Sequence, residues 1–155
     1  KEDFNLNDVV INAIDDIKLS TDFLKKNENI KLSYNPGRDI LIKADKGRLS
    51  QVVSNLLSNA IEFTVKGTIL VSIEQDKISN NNNKTVIVSV KDSGQGIDQS
   101  VLPRLFTKFT SKSYKGTGLG LFISKGIIET HGGKIWGKNN PDGIGAKFSF
   151  SLPTS

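Results

Sequence analysis

The sequence predicts an α+β fold, a two-layer α/β sandwich in which a mixed sheet lies under three helices on one face. Two observations carry this. Three segments hold apolar residues at helical spacing, and between them lie short runs rich in β-branched and apolar residues. The two kinds are interleaved along 155 residues with no internal repeat and no inter-domain linker. Residues 1–155 therefore read as one domain, long enough for a real core.

The elements follow in order. Asn7-Asp8 reads as a helix start with Asn7 as N-cap, and Val9, Val10, Ala13, Ile14, Ile17 and Leu24 carry the apolar stripe. Strand-like runs occupy 30–34 and 40–44, with Asn35-Pro36-Gly37 as the turn between them. Asp45 caps a second long helix that reaches Phe63, and Gly67 closes that region. Residues 68–75 alternate, with Ile69, Val71 and Ile73 on one face. A polar loop at 79–83 has the composition of a hairpin tip, and the strand at 85–90 delivers Asp92. A short helix is expected near 99–104. The third long helix spans 118–131, carries Leu121, Phe122, Ile123, Ile127 and Ile128, and stops at Gly132-Gly133. Strands at 134–137 and 146–152 close the chain, joined at Pro141-Asp142-Gly143.

Composition removes several classes. No apolar run approaches the length of a membrane span, and the chain does not open on a signal peptide. There is no cysteine, hence no disulfide framework and no thiolate metal site, which fits the cytoplasm. The net charge is +5, with lysines scattered rather than blocked. A nucleic-acid partner would want a basic stripe interleaved with aromatics, so none is expected. Lys108, Lys112 and Lys115 instead flank a glycine-rich segment, where a polyphosphate would lie.

Three patches carry the chemistry. In the second helix Leu49, Val52, Val53, Leu56, Ala60 and Phe63 face the core, while Arg48, Gln51, Asn55, Asn59 and Glu62 share another face. Asparagine is a poor helix-interior residue, and its amide oxygen is a hard, neutral ligand suited to Mg²⁺. A solvated helix face with two incidental asparagines is the alternative. The second patch is Asp92-Ser93-Gly94-Gln95-Gly96 at a strand end. A carboxylate there accepts hydrogen bonds only; adenine offers an amino donor where guanine offers an oxygen, so Asp92 would favour ATP over GTP. An ordinary Asp-x-Gly turn is the rival reading. The third is Gly116-Thr117-Gly118-Leu119-Gly120-Leu121 at the start of a helix, where backbone N–H groups bind anions. It is neither a P-loop nor a dinucleotide fingerprint, because the required spacing is missing. Phe106 and Phe109 pin one end of the polar segment 110–115, which suits a nucleotide lid. His131, the one histidine, sits at a helix C-terminus, where the helix dipole favours it as a cap.

Together these patches resemble the catalytic, ATP-binding domain of sensor histidine kinases, in the superfamily shared with gyrase, heat-shock chaperone and mismatch-repair ATPases. Asp45-x-x-Arg48-Leu49-x-Gln51-Val52-x-x-Asn55-Leu56-Leu57-x-Asn59-Ala60 looks like the N box and Asp92 to Ile97 like the G1 box. Leu105-Phe106-Thr107-Lys108-Phe109 is similar to the F box and Gly116 to Leu121 to the G2 box. His131-Gly132-Gly133 and the closing Phe148-Ser149-Phe150-Ser151-Leu152-Pro153 match the family's tail.

The resemblance implies a Bergerat ATP-binding fold of about five strands under three helices, with Mg·ATP between helices and lid. It implies Asn59 as principal Mg²⁺ ligand with Asn55 beside it. Asp92 would take the adenine amino group and Gly96 would line the base pocket, with Gly94, Ile97 and Phe106 also among the nucleotide-binding residues. Gly116, Gly118, Leu119 and Gly120 would pack around the phosphates with their backbone, Thr117 and Leu121 would also bind the nucleotide, and Lys112 would meet the γ-phosphate. Glu62 departs from the pattern, standing where many members carry Lys or Arg. The implied activity is transfer of the γ-phosphate to a histidine on separate dimerisation helices, absent from this chain, of a parent kinase that is free to be membrane-anchored. A response regulator would be the indirect partner, and the isolated domain a monomer. Alternatives are a non-catalytic ATP-sensing module and a serine kinase of the anti-sigma type.

Overall fold

Alternation along the strands sets which face of the sheet is covered. Val86, Val88 and Val90 are buried, as are Ile69, Val71 and Ile73 on the neighbouring strand, and Phe148, Phe150 and Leu152 on the next. Helices lie on that face.

The computed structural model describes residues 1–76, 84–108 and 119–154. Along the chain come β1 (Glu2–Asn5), α1 (Leu6–Lys18), α2 (Thr21–Lys26), β2 (Ile30–Asn35), β3 (Leu41–Ala44) and α3 (Lys46–Phe63). Then follow β4 (Gly67–Asp76), β5 (Lys84–Asp92), a 3₁₀ turn at Leu102–Arg104, α4 (Gly120–Thr130), β6 (Lys134–Asn139) and β7 (Ala146–Thr154). The main sheet has five strands in the order β2-β4-β5-β7-β6. β2 runs parallel to β4 and the other neighbours are antiparallel, so the sheet is mixed as expected. β1 and β3 pair with each other as a separate antiparallel ribbon.

α3 is the central helix. Leu49, Val52, Val53, Leu56, Leu57, Ala60 and Ile61 are all buried, because α1 packs on one side, α4 on the other and the sheet beneath. That arc is wider than a single stripe. It takes in Leu57 and Ile61 and leaves the expected core residue Phe63 half-buried at the helix end.

Four boundaries differ from expectation. Asn5 rather than Asn7 caps α1: its Oδ1 accepts the Asn7 N–H at 3.0 Å. Asn7 is instead buried, donating to the Arg38 carbonyl at 2.9 Å and accepting the Tyr34 hydroxyl proton. Burial pushes that phenol up to about 12, so Tyr34 stays a donor. Second, the first apolar stripe does not reach Leu24. α1 stops at Lys18, and Ser20 starts α2 by accepting the Phe23 N–H, which makes a fourth helix and leaves Leu24 exposed. Third, the helix expected at 99–104 shrinks to a 3₁₀ turn, with Asp98 Oδ1 taking the Ser100 N–H before Pro103. Fourth, α4 runs from Gly120 to Thr130 rather than over 118–131, with Leu119 as N-cap and His131 as C-cap; the loop at 79–83 lies outside the described residues. No described helix is long and apolar enough to cross a membrane.

Candidate nucleotide site

Three pieces of backbone meet along α3: the end of β5, the start of α4 and the polar stripe of α3 itself. Asp45 starts that stripe in register by accepting the Arg48 N–H at 3.1 Å. Asn55 and Asn59 follow one turn apart, both half-buried. Their amides have different surroundings. Asn55 Nδ2 donates to the Gly120 carbonyl at 3.2 Å and to the buried Ser124 Oγ at 3.1 Å, tying α3 to the first turn of α4. Its Oδ1 keeps no partner among the described residues. Neither amide atom of Asn59 has a hydrogen-bond partner among them.

Asp92 ends β5 with 5% of its surface exposed. Its Oδ1 accepts the Gly94 N–H at 2.9 Å and the Ala146 N–H at 3.2 Å. Its Oδ2 receives no hydrogen bond from any described residue. Burial pushes the carboxyl up from the usual carboxylate range, and the two N–H donors oppose that shift. The side chain is therefore a fixed acceptor with one oxygen unused by the described residues.

The turn after Asp92 is seated on the end of α3. The Gln95 N–H donates to the Phe63 carbonyl at 3.3 Å, and a Cβ on Gly94 would lie 2.2 Å from that oxygen, so no side chain fits. Ser93 binds Thr68 twice, N–H to carbonyl at 3.0 Å and Oγ to the Thr68 N–H at 2.8 Å. Thr64 Oγ1, fully buried beside Gly94, has no hydrogen-bond partner among the described residues. Gly96 and Ile97 complete the turn, both partly buried.

Phe106 and Leu121 are half-buried and pack against the core. Lys108 Nζ lies 5.1 Å from the centre of the Phe122 ring, which joins the region after the 3₁₀ turn to α4. Leu119 is the N-cap residue of α4, and its own side chain makes no capping hydrogen bond. Lys112, Phe109, Gly116, Thr117, Gly118 and the segment 110–115 lie outside the described residues. Of the expected site residues, then, Asn55, Leu119, Gly120 and Leu121 meet at the α3–α4 junction. Asp92, Gly94, Gly96 and Ile97 form the turn at the other end of α3, and Asn59 lies between.

His131 is engaged elsewhere. Its Nδ1 donates to the Ile127 carbonyl at 2.8 Å and its Nε2 accepts the Asp45 N–H at 3.1 Å. The two partners fix the tautomer and join the end of α4 to the start of α3.

Sequence reasoning placed the β6–β7 turn and missed its contacts with the turn at 92–97. Asn139 exchanges two hydrogen bonds with Ile97, at 2.7 and 3.0 Å, and Asn140 Nδ2 donates to the Asp92 carbonyl at 2.9 Å. Gly145, at φ 74, packs so closely that a Cβ would lie 2.0 Å from that same carbonyl. The run Asn139-Asn140-Pro141-Asp142-Gly143 reads only as turn chemistry, and nothing local points to residues more than 40 positions away.

Comparison with known proteins gives the family and the fold. Residues 44–155 match the family described as histidine kinase-, DNA gyrase B- and HSP90-like ATPase. The chain is 41% identical to the sensor protein KdpD of Clostridium acetobutylicum over 135 residues, 83% of this chain and 14% of that protein. It is 35% identical to the sensor protein FixL of Bradyrhizobium diazoefficiens, over 84% of this chain and 25% of that one. The chain thus spans a quarter or less of these two relatives. Among solved structures, the catalytic domain of histidine kinase ThkA superposes with TM-score 0.81 at 33% identity, covering 99% of this chain and 95% of that one. ThkA has also been solved in complex with its response regulator protein TrrA.

Proposed function

We propose, for a chain that belongs to the histidine kinase-, DNA gyrase B- and HSP90-like ATPase family as a histidine-kinase catalytic domain, that it binds Mg·ATP along α3 and presents the γ-phosphate to a histidine on another domain. ATP use follows from the family. The Mg²⁺ ion, the residue roles and the acceptor are our reading.

The observation that carries it is the Asp92 carboxylate, buried, with Oδ1 held by two backbone N–H groups and Oδ2 unpaired among the described residues. An acceptor fixed this way suits the amino group of adenine and repels the oxygen that guanine offers. Asn59 supports the other end of the nucleotide: a half-buried amide without a partner among the described residues is fitted to a hard cation. Asn55 would turn its Oδ1 to the same ion while its Nδ2 holds α4. When bound, Mg²⁺ would neutralise phosphate charge. Leu119 and Gly120 at the start of α4, with Gly116, Thr117 and Gly118 before them, would pack their backbone around the phosphates. Lys112 is the cation we assign to the γ-phosphate. Transfer then breaks the bond between Pγ and the bridging oxygen, forms a Pγ–N bond to the imidazole and leaves ADP. This chain supplies position and charge, and no covalent nucleophile. The dimerisation helices of the parent kinase are the proposed acceptor, and a response regulator the protein that receives the phosphoryl group next.

The test has two arms. Calorimetric titration with a non-hydrolysable ATP analogue, with and without Mg²⁺ and with a GTP analogue as control, should give Mg-dependent binding that prefers adenine. Mixing with a histidine-bearing dimerisation domain and labelled ATP should give an acid-labile phosphoprotein. An acid-stable product would assign a serine kinase, and binding without transfer an ATP-sensing module.

A further inference from the structure

We infer that the β6–β7 turn, through Asn139 and Asn140, sets the purine selectivity of the site without touching the nucleotide; this rests on the reading of Asp92 as the adenine contact. Asn139 is the last residue of β6 and Asn140 the first beyond it. Each grips one end of the turn 92–97. Asn140, buried, donates through Nδ2 to the Asp92 carbonyl at 2.9 Å and to the Ile144 carbonyl at 2.7 Å. Asn139 closes a two-bond ring with Ile97: Oδ1 accepts the Ile97 N–H at 2.7 Å and Nδ2 donates to the Ile97 carbonyl at 3.0 Å. A side-chain amide thus replaces a strand neighbour for a residue that has none. The following strand adds the Ala146 N–H, which holds Asp92 Oδ1 at 3.2 Å.

The consequence is geometric. Asp92 presents Oδ2 in one direction only because its Oδ1, its carbonyl and the far end of its turn are all held. α3 and β4 hold the middle, through Gln95 to the Phe63 carbonyl and Ser93 to Thr68. The β6–β7 turn holds both ends. Release of the Ile97 end lets the turn swing on its middle anchors, and the carboxylate then meets adenine and guanine with less discrimination. Asn139 and Asn140 are positioning residues, acting through Asp92 and Ile97.

Asn139→Ala removes both bonds to Ile97 and leaves the buried Asn140 in place. The measurement is the affinity of the purified chain for non-hydrolysable ATP and GTP analogues with Mg²⁺, beside a thermal melt. The expected result is a loss of about tenfold in ATP-analogue affinity, the size of one or two lost neutral hydrogen bonds, and a reduced adenine-to-guanine ratio. Asn139→Asp keeps the acceptor for the Ile97 N–H and loses the donor, so it should fall between the wild type and Asn139→Ala. It carries the test if Asn139→Ala melts below the assay temperature. In an Asp92→Asn background, Asn139→Ala should leave the ratio where Asp92→Asn alone puts it. A wild type that prefers adenine, with an unchanged ratio in both Asn139 variants, would overturn the clamp and leave the adenine contact standing. A wild type with no adenine preference would overturn both.

Discussion

A carboxylate buried at a strand end with one oxygen unpaired costs the fold stability. Asp92 has that position, and its carboxyl is held above the usual carboxylate range by burial. The native state therefore keeps its proton longer than the unfolded chain as pH rises. The stabilisation linked to this proton is full in acid and is lost between the unfolded value, about 3.9, and the raised folded value. Asp92→Asn retains an oxygen for the Gly94 and Ala146 N–H groups and removes the charge. We expect the variant to melt at or above the wild-type temperature at pH 7, with an advantage that shrinks in acid, while ATP-analogue affinity falls at least tenfold; melts across pH and calorimetry check both. The two asparagines of α3 should separate as well. Asn59→Ala should abolish Mg-dependent nucleotide binding and leave the melt nearly unchanged, since no described residue bonds its amide. Asn55→Ala should lower the melting temperature by several degrees, because it strips the buried Ser124 and the Gly120 carbonyl of a donor, about 1–3 kcal/mol. The burial of Asp92 was legible from its place at the end of an apolar strand, and Asn59 stood out as a candidate because asparagine is a poor helix-interior residue. Asn139 and Asn140 were not, because asparagine before Pro-Asp-Gly is ordinary turn chemistry and its partners are distant in the chain.

At the scale of elements, α3 organises the rest. Its N-cap residue is tied by His131 to the end of α4, and its last carbonyls take Lys26 from α2, Nζ lying 2.8 Å from the Ile61 oxygen and 3.2 Å from that of Glu62. One helix is thus fixed at both ends by residues far away in sequence. His131→Ala should lower the melting temperature by a few degrees and leave transfer to an acceptor histidine intact, since its ring serves two backbone groups; a phosphorylation assay beside the melt checks this. The start and end of α3 were readable from Asp45 and from the end of the apolar pattern. α1 was overextended because Leu24 falls in phase with its stripe. The Ser20 cap, a single hydroxyl, outweighed that apparent continuity.

Over the whole molecule, the core runs through α3 with Leu56 and Leu57 both fully buried, so Leu57→Ala should cost about 2–5 kcal/mol in urea denaturation. The sheet class was legible from alternation. The order of its strands was not, because pairing of β5 with β7 joins residues on opposite sides of α4. That order has a temporal side. β7 is the last strand of the chain, yet it lies inside the sheet, between β5 and β6. During synthesis the ribosome releases β5 and Asp92 first, and the Ala146 N–H and Asn140 amide that complete the carboxylate's surroundings emerge some 50 residues later. A nascent chain stopped before residue 146 has every expected ATP-contacting residue and no assembled pocket. It should retain no nucleotide on stalled ribosomes, whereas a chain carrying residues 1–154 on a linker long enough to clear the exit tunnel should. Nucleotide capture thus reports that the final strand has been inserted.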